Sequence, residues 1–331
     1  MQDWHTAPPV SGATLQLAEI WNLFDLQGHR GARGLWPENT LAGFARTIEL
    51  GVSTVELDCG ATRDGIVVVS HDPRLNGEHT RDAHGHFLGA PGAPIWQLDY
   101  AQLQAFDVGR IRPGSALAAE FPEQQSVDGE RIPPLAEVLR LVRERGRGQV
   151  RINIEVKIFP LQPELTMAPD PFVQLLKRDL EATGTAALVY IQSFDWRVLQ
   201  AVHRHIPGVA TAALTDEQPG EDTVQIGAAQ PSPWLGGLNP AEHGNSVPRL
   251  VRAIGAGTWA PDYRDLNAAR VAEAHALGLR VVPWTVNEPA DMAGLVAQGV
   301  DGIITDRPDR LRALLQQQGR AVPAPLRRQS P

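Results

Sequence analysis

The sequence predicts an α/β protein built as a parallel (β/α)8 TIM barrel with a small insertion after its second strand. Three observations predict it. Short apolar runs alternate with amphipathic segments from about residue 24 to 318, the order that gives a parallel sheet wrapped by helices. Eight of those runs read as strands, the number that closes this barrel. Charged residues recur at every second position of two runs, so that one face of each is apolar and the other is loaded with carboxylates. The same element order also permits an open doubly wound sheet, which periodicity alone does not separate from a barrel.

The strand segments are 24–29, 54–59, 150–157, 187–193, 209–215, 258–262, 280–286 and 302–306. Each is short and bounded by turn residues. Helical spacing follows at 40–50, 171–183, 196–205, 267–277, 290–298 and 309–318, with Gly51, Gly184, Gly278, Gly299 and Gly319 just beyond as stops. No fixed repeat of 20 to 50 residues accompanies this rhythm. Two stretches break it. Residues 72–134, rich in Gly, Pro and Asp, are too long for an ordinary connection and read as the insertion. Residues 216–247 form a second excursion after the fifth strand. In a barrel both lie on the face where loops carry function, as cover for a substrate or as decoration of the rim. Residues 1–23 read as an N-terminal extension, 24–318 as the barrel, and 319–331 as a disordered tail.

Of 331 residues, 43% are hydrophobic and 21% charged, which excludes wholesale disorder, collagen and coiled coil. A net charge of −8 provides no broad basic surface, so nucleic acid is not an expected partner, although a local cationic site for one phosphate is compatible with it. Cys59 stands alone and no internal disulfide can form. No apolar run reaches the roughly 18 residues of a transmembrane segment. The N-terminus lacks the basic and apolar regions of a signal peptide, so a cytoplasmic location is expected, or an exported one if a signal has been removed. Oligomeric state is not encoded in any pattern found.

Alternation along the second strand puts Thr54, Glu56 and Asp58 on one face, with Val55, Leu57 and Cys59 on the other. The third strand repeats this, Asn153, Glu155 and Lys157 opposing Ile152, Ile154 and Val156. In an antiparallel sheet such a face would simply be wet. In a parallel barrel it is enclosed, and clustered carboxylates there demand a cation or matched pairing. Glu56, Asp58 and Glu155 would then form an all-oxygen site, whose hard ligands favour one divalent cation, Mg2+ or Ca2+, over zinc. His29 shares its strand face with Asp25 and Gln27 and is followed by Arg30; His71 ends the run 67–70. Two histidines, clustered acids, an arginine and a lysine are equipment for transferring a phosphoryl group to water. A neutral and a protonated imidazole acting together would give a bell-shaped pH profile.

The stretches Gly28-His29-Arg30-Gly31, Pro37-Glu38-Asn39-Thr40, Glu56-Leu57-Asp58 and His71-Asp72 resemble the glycerophosphodiester phosphodiesterases. Downstream, Glu155-Val156-Lys157, Gln192-Ser193-Phe194, Pro283-Trp284-Thr285-Val286-Asn287 and Gly302-Ile303-Ile304-Thr305-Asp306 continue the likeness, from about residue 24 to 316. The resemblance implies a (β/α)8 barrel, a divalent metal and hydrolysis of small glycerophosphodiesters to glycerol 3-phosphate plus an alcohol. It implies that Glu56, Asp58 and Glu155 bind metal, that His29 and His71 act as general acid and base in an order left open, and that Arg30 and Lys157 hold phosphate. An insertion after the histidine-aspartate pair is implied to shape the glycerol-side pocket. Glu38, Asn39, Gln192 and Trp284 are further substrate-binding candidates, Asn39 being equally readable as an N-cap and Trp284 as core. Cys59 reads as a small buried hydrophobe, and His79, His84 and His86 as surface residues. A phospholipase-type relative acting on lysophospholipids or phosphoinositides is the alternative enzyme; a non-catalytic binding barrel is the alternative of another class, and should have lost one of these groups.

Overall fold

The computed structural model of the protein describes residues 23–89 and 92–326. The expected N-terminal extension therefore lies outside the described residues, apart from Leu23. Nine strands among the described residues make one sheet: β1 (Asp25–Gly28), β2 (Thr54–Ala61), β3 (Val67–Val69), β4 (Arg151–Val156), β5 (Val189–Ser193), β6 (Ala210–Thr215), β7 (Thr258–Pro261), β8 (Arg280–Val281) and β9 (Gly302–Thr305). All but β3 are parallel, in the order β8-β7-β6-β5-β4-β2-β1-β9.

The path closes between β8 and β9. Asp301 N–H donates to Val281 O at 2.8 Å and Ile304 N–H to Pro283 O at 2.9 Å, so eight strands form a (β/α)8 barrel. The regular part of β8 is shorter than the expected 280–286, and Pro283 is the reason. Val282 and Trp284 send their N–H groups to Trp259 and Pro261 of β7, so the N–H that Pro283 lacks would have faced β9. Chain direction continues without that bond.

Around the strands run α1 (Leu41–Leu50), α4 (Leu135–Arg145), α5 (Pro169–Thr183), α6 (Trp196–His205), α7 (Val247–Ala253), α8 (Ala268–Ala276), α9 (Pro289–Gln298) and α10 (Pro308–Gln317); α2 (Tyr100–Leu103) and α3 (Ala116–Glu120) belong to the insertion. The helix starts follow their caps: Thr40, Asp195 and Asn267 each accept a backbone N–H of the first turn. Thr40, not Asn39, is thus the cap of α1. The apolar strand faces, including Cys59, pack with the helices into one main core.

The second strand overshoots the expected 54–59. It turns into a hairpin in which Cys59 pairs with Val69 and Ala61 with Val67, and this return brings His71 back to the barrel mouth. The insertion then builds a small second core, Leu75, Ile95, Leu103, Val108 and Ile132 packing with Val68 of β3. The expected disordered tail is corrected over its described part: Arg312 Nη1 donates to Pro323 O at 2.6 Å, and Val322 and Leu326 pack on the main core. Residues 327–331 lie outside the described residues. Among those described, no helix is long and apolar enough to cross a membrane.

Candidate active site

The parallel register stacks the interior in layers. Deepest, Asp25 meets Arg151 at 2.7 Å with both side chains 1% exposed, and takes hydrogen bonds from Thr54 Oγ1 (2.7 Å) and Gln27 Nε2 (2.9 Å). Above this layer Glu56 pairs in register with Asn153 and Asp58 with Glu155. One oxygen from each of Glu56, Asp58 and Glu155 lies within 4.8 Å of the others, all three residues being buried.

These acids are held from several elements. Arg30 N–H and Gln192 Nε2 donate to Glu56 at 2.8 and 3.1 Å. Asn39 Nδ2 donates to Asp58 at 3.0 Å. Lys157 Nζ lies 2.6 Å from Glu155 Oε1 and 3.3 Å from Asp58 Oδ1, yet neither oxygen has a properly directed hydrogen bond. Burial, then Asp58 and Glu155, push the Glu56 carboxyl well above its usual range; burial also raises Glu155, with Lys157 opposing. Burial opposes the charge on Asp58 too, but Lys157 and Arg30 outweigh it and hold that carboxyl down. Three clustered buried acids, two of them titrating upward, fit a hard divalent cation.

A histidine-aspartate pair flanks the cluster on each side. His29 Nδ1 is 2.6 Å from Asp306 Oδ1, and its Nε2 is 4.0 Å from Glu56. Asp306 is itself held by Arg33 Nε (2.8 Å) and Asn287 Nδ2 (2.8 Å). His71 Nδ1 is 2.8 Å from Asp72, which Asn76 also contacts at 2.7 Å. Burial lowers both imidazoles. Asp306 resists the shift at His29, whereas Arg30 and Lys157 add to it at His71, which falls to about 4. Before an anion arrives, both shifts run toward the neutral imidazole, away from the protonated member of the expected pair. An arriving anion favours the imidazolium.

The loop carrying His29 and Arg30 is sharply wound. Arg30 sits at φ 49° and Ala32 at φ 62°, conformations that side chains occupy only when the surroundings impose them. Gly31, at φ 74°, has no such freedom to lose: a Cβ there would meet the Phe44 ring at 3.0 Å. The winding points the Arg30 N–H at Glu56 and its guanidinium at Glu38 (3.1 Å) and Asp58 (3.3 Å).

The structure thus brings all the predicted residues to one mouth, but by different contacts. Glu38 lies against Arg30, Asn39 against Asp58 and Gln192 against Glu56, each hydrogen-bonded to a charged neighbour. Trp284 is half-buried and open to the cavity of about 170 Å³ that also holds His29, Arg30, Glu56, His71, Glu155 and Lys157. Its indole N–H donates to Ala260 O at 2.9 Å. His79 is not a plain surface residue: it is half-buried beside Asp72 and Glu38 in a cavity under the insertion. His84 and His86 are exposed. Asp306, Asn287 and Asp72 lay in the quoted stretches without a role of their own, and Arg33 was not named. Asp306 carried a signal, as the acid ending the strand that closes against β1.

The model of the glycerophosphoryl diester phosphodiesterase family matches residues 29–310. A glycerophosphodiester phosphodiesterase of Caldanaerobacter subterraneus subsp. tengcongensis is 28% identical over 291 residues, spanning 88% of this chain and 97% of that protein. Among solved structures, a glycerophosphoryl diester phosphodiesterase homologue from Silicibacter pomeroyi superposes with a TM-score of 0.82 at 32% identity, covering 92% of this chain and 99% of that one. An Oleispira antarctica phosphodiesterase in complex with its product sn-glycerol-3-phosphate shares the fold at TM-score 0.64 and 20% identity, over 88% and 96% of the two chains. Matched across nearly the whole barrel, the chain belongs to the glycerophosphoryl diester phosphodiesterase family of phosphodiester-hydrolysing enzymes.

Proposed function

We propose that the protein hydrolyses glycerophosphodiesters to sn-glycerol 3-phosphate and an alcohol, dependent on one divalent cation, Mg2+ or Ca2+, with His29 and His71 as general acid and base. The observation that carries this reading is the pair of histidine-aspartate contacts, 2.6 and 2.8 Å, on either side of a buried three-carboxylate cluster. Glu56, Asp58 and Glu155 would hold the cation, which when bound neutralises phosphate charge as a Lewis acid. Arg30 and Lys157 face the same cavity and hold phosphate oxygens. Each aspartate takes the Nδ1 side of its histidine, leaving Nε2 for the reaction. One imidazole takes a proton from the attacking water; the other gives one to the departing alkoxide as the P–O bond breaks.

A barrel that only bound ligands would have lost one of these groups, and among the described residues all seven stand together. The deciding experiment measures glycerol 3-phosphate release from glycerophosphodiesters after chelation, then with Mg2+ or Ca2+ restored. Turnover that returns with metal supports the reading. Turnover unaffected by chelation removes the metal role, and unchanged turnover in His29→Ala removes that histidine from the mechanism. A pH–rate profile with two limbs is expected.

A further inference from the structure

We infer that the groove running from Lys157 under the second excursion binds the leaving alcohol, and that it selects an alcohol bearing a positively charged ammonium group. This deepens the phosphodiesterase reading above and rests on it.

The groove, about 540 Å³, shares His71, Glu155, Lys157, Phe194 and Trp284 with the catalytic cavity, so whatever leaves the phosphorus on that side enters it. Its wall is aromatic. Phe194 stands edge-to-face against Trp284 at 5.4 Å and against Trp234 at 6.4 Å between ring centres, and all three rings are half-buried with surface left to contact a ligand. The excursion contributes acids to the same groove, Asp216, Glu221 and Asp222. Asp222 Oδ1 is occupied, capping the Val224 and Gln225 N–H groups at 2.8 Å. Asp216 is different.

Only 6% exposed, Asp216 accepts the Gln218 N–H at 2.7 Å on one oxygen and no hydrogen bond on the other among the described residues. Arg264 directs its guanidinium to Asp262 instead, at 2.6 Å. Burial, with Asp262 and Asp265 adding to it and the Gln218 N–H and Arg264 only partly offsetting it, pushes the Asp216 carboxyl up to about 6. The groove therefore combines Lys157, shared with the catalytic cavity, with an aromatic wall and the excursion's carboxylates. That combination complements an anionic phosphodiester esterified to an ammonium alcohol, whose cation would meet the rings and Asp216. An uncharged polyol leaves Asp216 desolvated and unpaired, and a fatty chain does so at greater cost.

The test compares kcat/KM of the metal-loaded full chain for glycerophosphocholine, glycerophosphoethanolamine and glycerophosphoglycerol, in the wild type, Asp216→Asn and Trp234→Leu. Asp216→Asn keeps shape and removes charge; Trp234→Leu keeps apolar bulk and removes the π face. The wild type is expected to favour the two ammonium substrates by about tenfold or more, with that ratio falling about tenfold in Asp216→Asn and several-fold in Trp234→Leu. Turnover without discrimination, or a ratio that neither variant moves, overturns the inference and leaves the phosphodiesterase reading standing. Lysophosphatidylcholine turned over faster than glycerophosphocholine, and faster still by Asp216→Asn, gives the groove to an acyl chain and also overturns it. Absence of turnover on every glycerophosphodiester, with folded protein and metal, sinks both readings at once.

Discussion

At the N-terminal end of the barrel one buried anion, Asp25, meets one buried cation, Arg151, and the remaining bonds to Asp25 come from the neutral side chains of Thr54 and Gln27. One layer higher, three buried carboxylates face Arg30 and Lys157, and Glu38 and Asp72 crowd the same mouth. Both layers come from the same strands and the same alternation. The lower one closes its electrostatics internally, which makes it a structural plug. The upper one does not: burial and mutual repulsion raise the Glu56 and Glu155 carboxyls, so its surplus of negative charge calls for a proton or a bound cation. An internal ion pair thus marks the scaffold, and an imbalance marks the candidate site.

The contrast breaks most visibly at Glu56. Glu56→Gln removes an acid from the crowded layer, and the Gln192 amide, whose oxygen is unpartnered, can flip to accept from the new amide. Activity is expected to fall about 10³-fold, while the metal-free protein becomes more stable by about 1–2 kcal/mol. Turnover assays and thermal unfolding in chelator measure the two halves; a variant destabilised without metal would mean that the upper layer was balanced after all. Arg151→Met is the mirror image. Stranding Asp25 in the plug should cost about 3–5 kcal/mol of stability, read by denaturant unfolding, with kcat per folded molecule unchanged. A large loss of kcat in folded protein would erase the distinction between the layers. Between these extremes lies Asp306→Asn, expected to lower kcat about 100-fold by loosening the hold on His29 with little change in metal affinity by calorimetric titration.

Much of this contrast was legible in the strands. Period-two alternation located Glu56, Asp58, Glu155 and Lys157 on one interior, because a regular strand converts spacing directly into a face. Whether a charge would be matched was not legible, since matching depends on partners far away in sequence: Asp25 on β1 finds Arg151 on β4, with β2 between them, and His29 finds Asp306 from the other end of the chain. Local chemistry also misled. Asn39 before a helix reads as a cap, but Thr40 takes that role and frees the Asn39 amide for Asp58. Loop geometry was silent altogether. His71 reaches the mouth only because a hairpin folds β3 back on β2, and Asp216 and Trp234 line one groove only through the path of the 216–247 excursion.

The gentlest test of the comparison uses acid. Glu38 lies at the edge of the upper layer, 3.1 Å from Arg30 and 4.0 Å from Arg33. Burial works against its charge, but Arg30 outweighs burial, and its carboxyl is held down to about 2 against an ordinary 4.5. Between those values the unfolded chain binds more protons than the folded one, so stability rises with pH there. The contribution of Glu38 is therefore fully present above its ordinary value and drains away as the pH falls toward about 2. Glu38→Gln should be less stable than the wild type by about 1–2 kcal/mol near neutrality, an amide oxygen still accepting one Arg30 hydrogen bond, and the gap should close on acidification. Unfolding curves for the two proteins across that acidic range decide it. A gap that stays constant would show that Glu38 acts through packing and hydrogen bonding alone. A gap that widens toward acid would reverse the sign and place Glu38 with the overcrowded acids rather than among the paired ones.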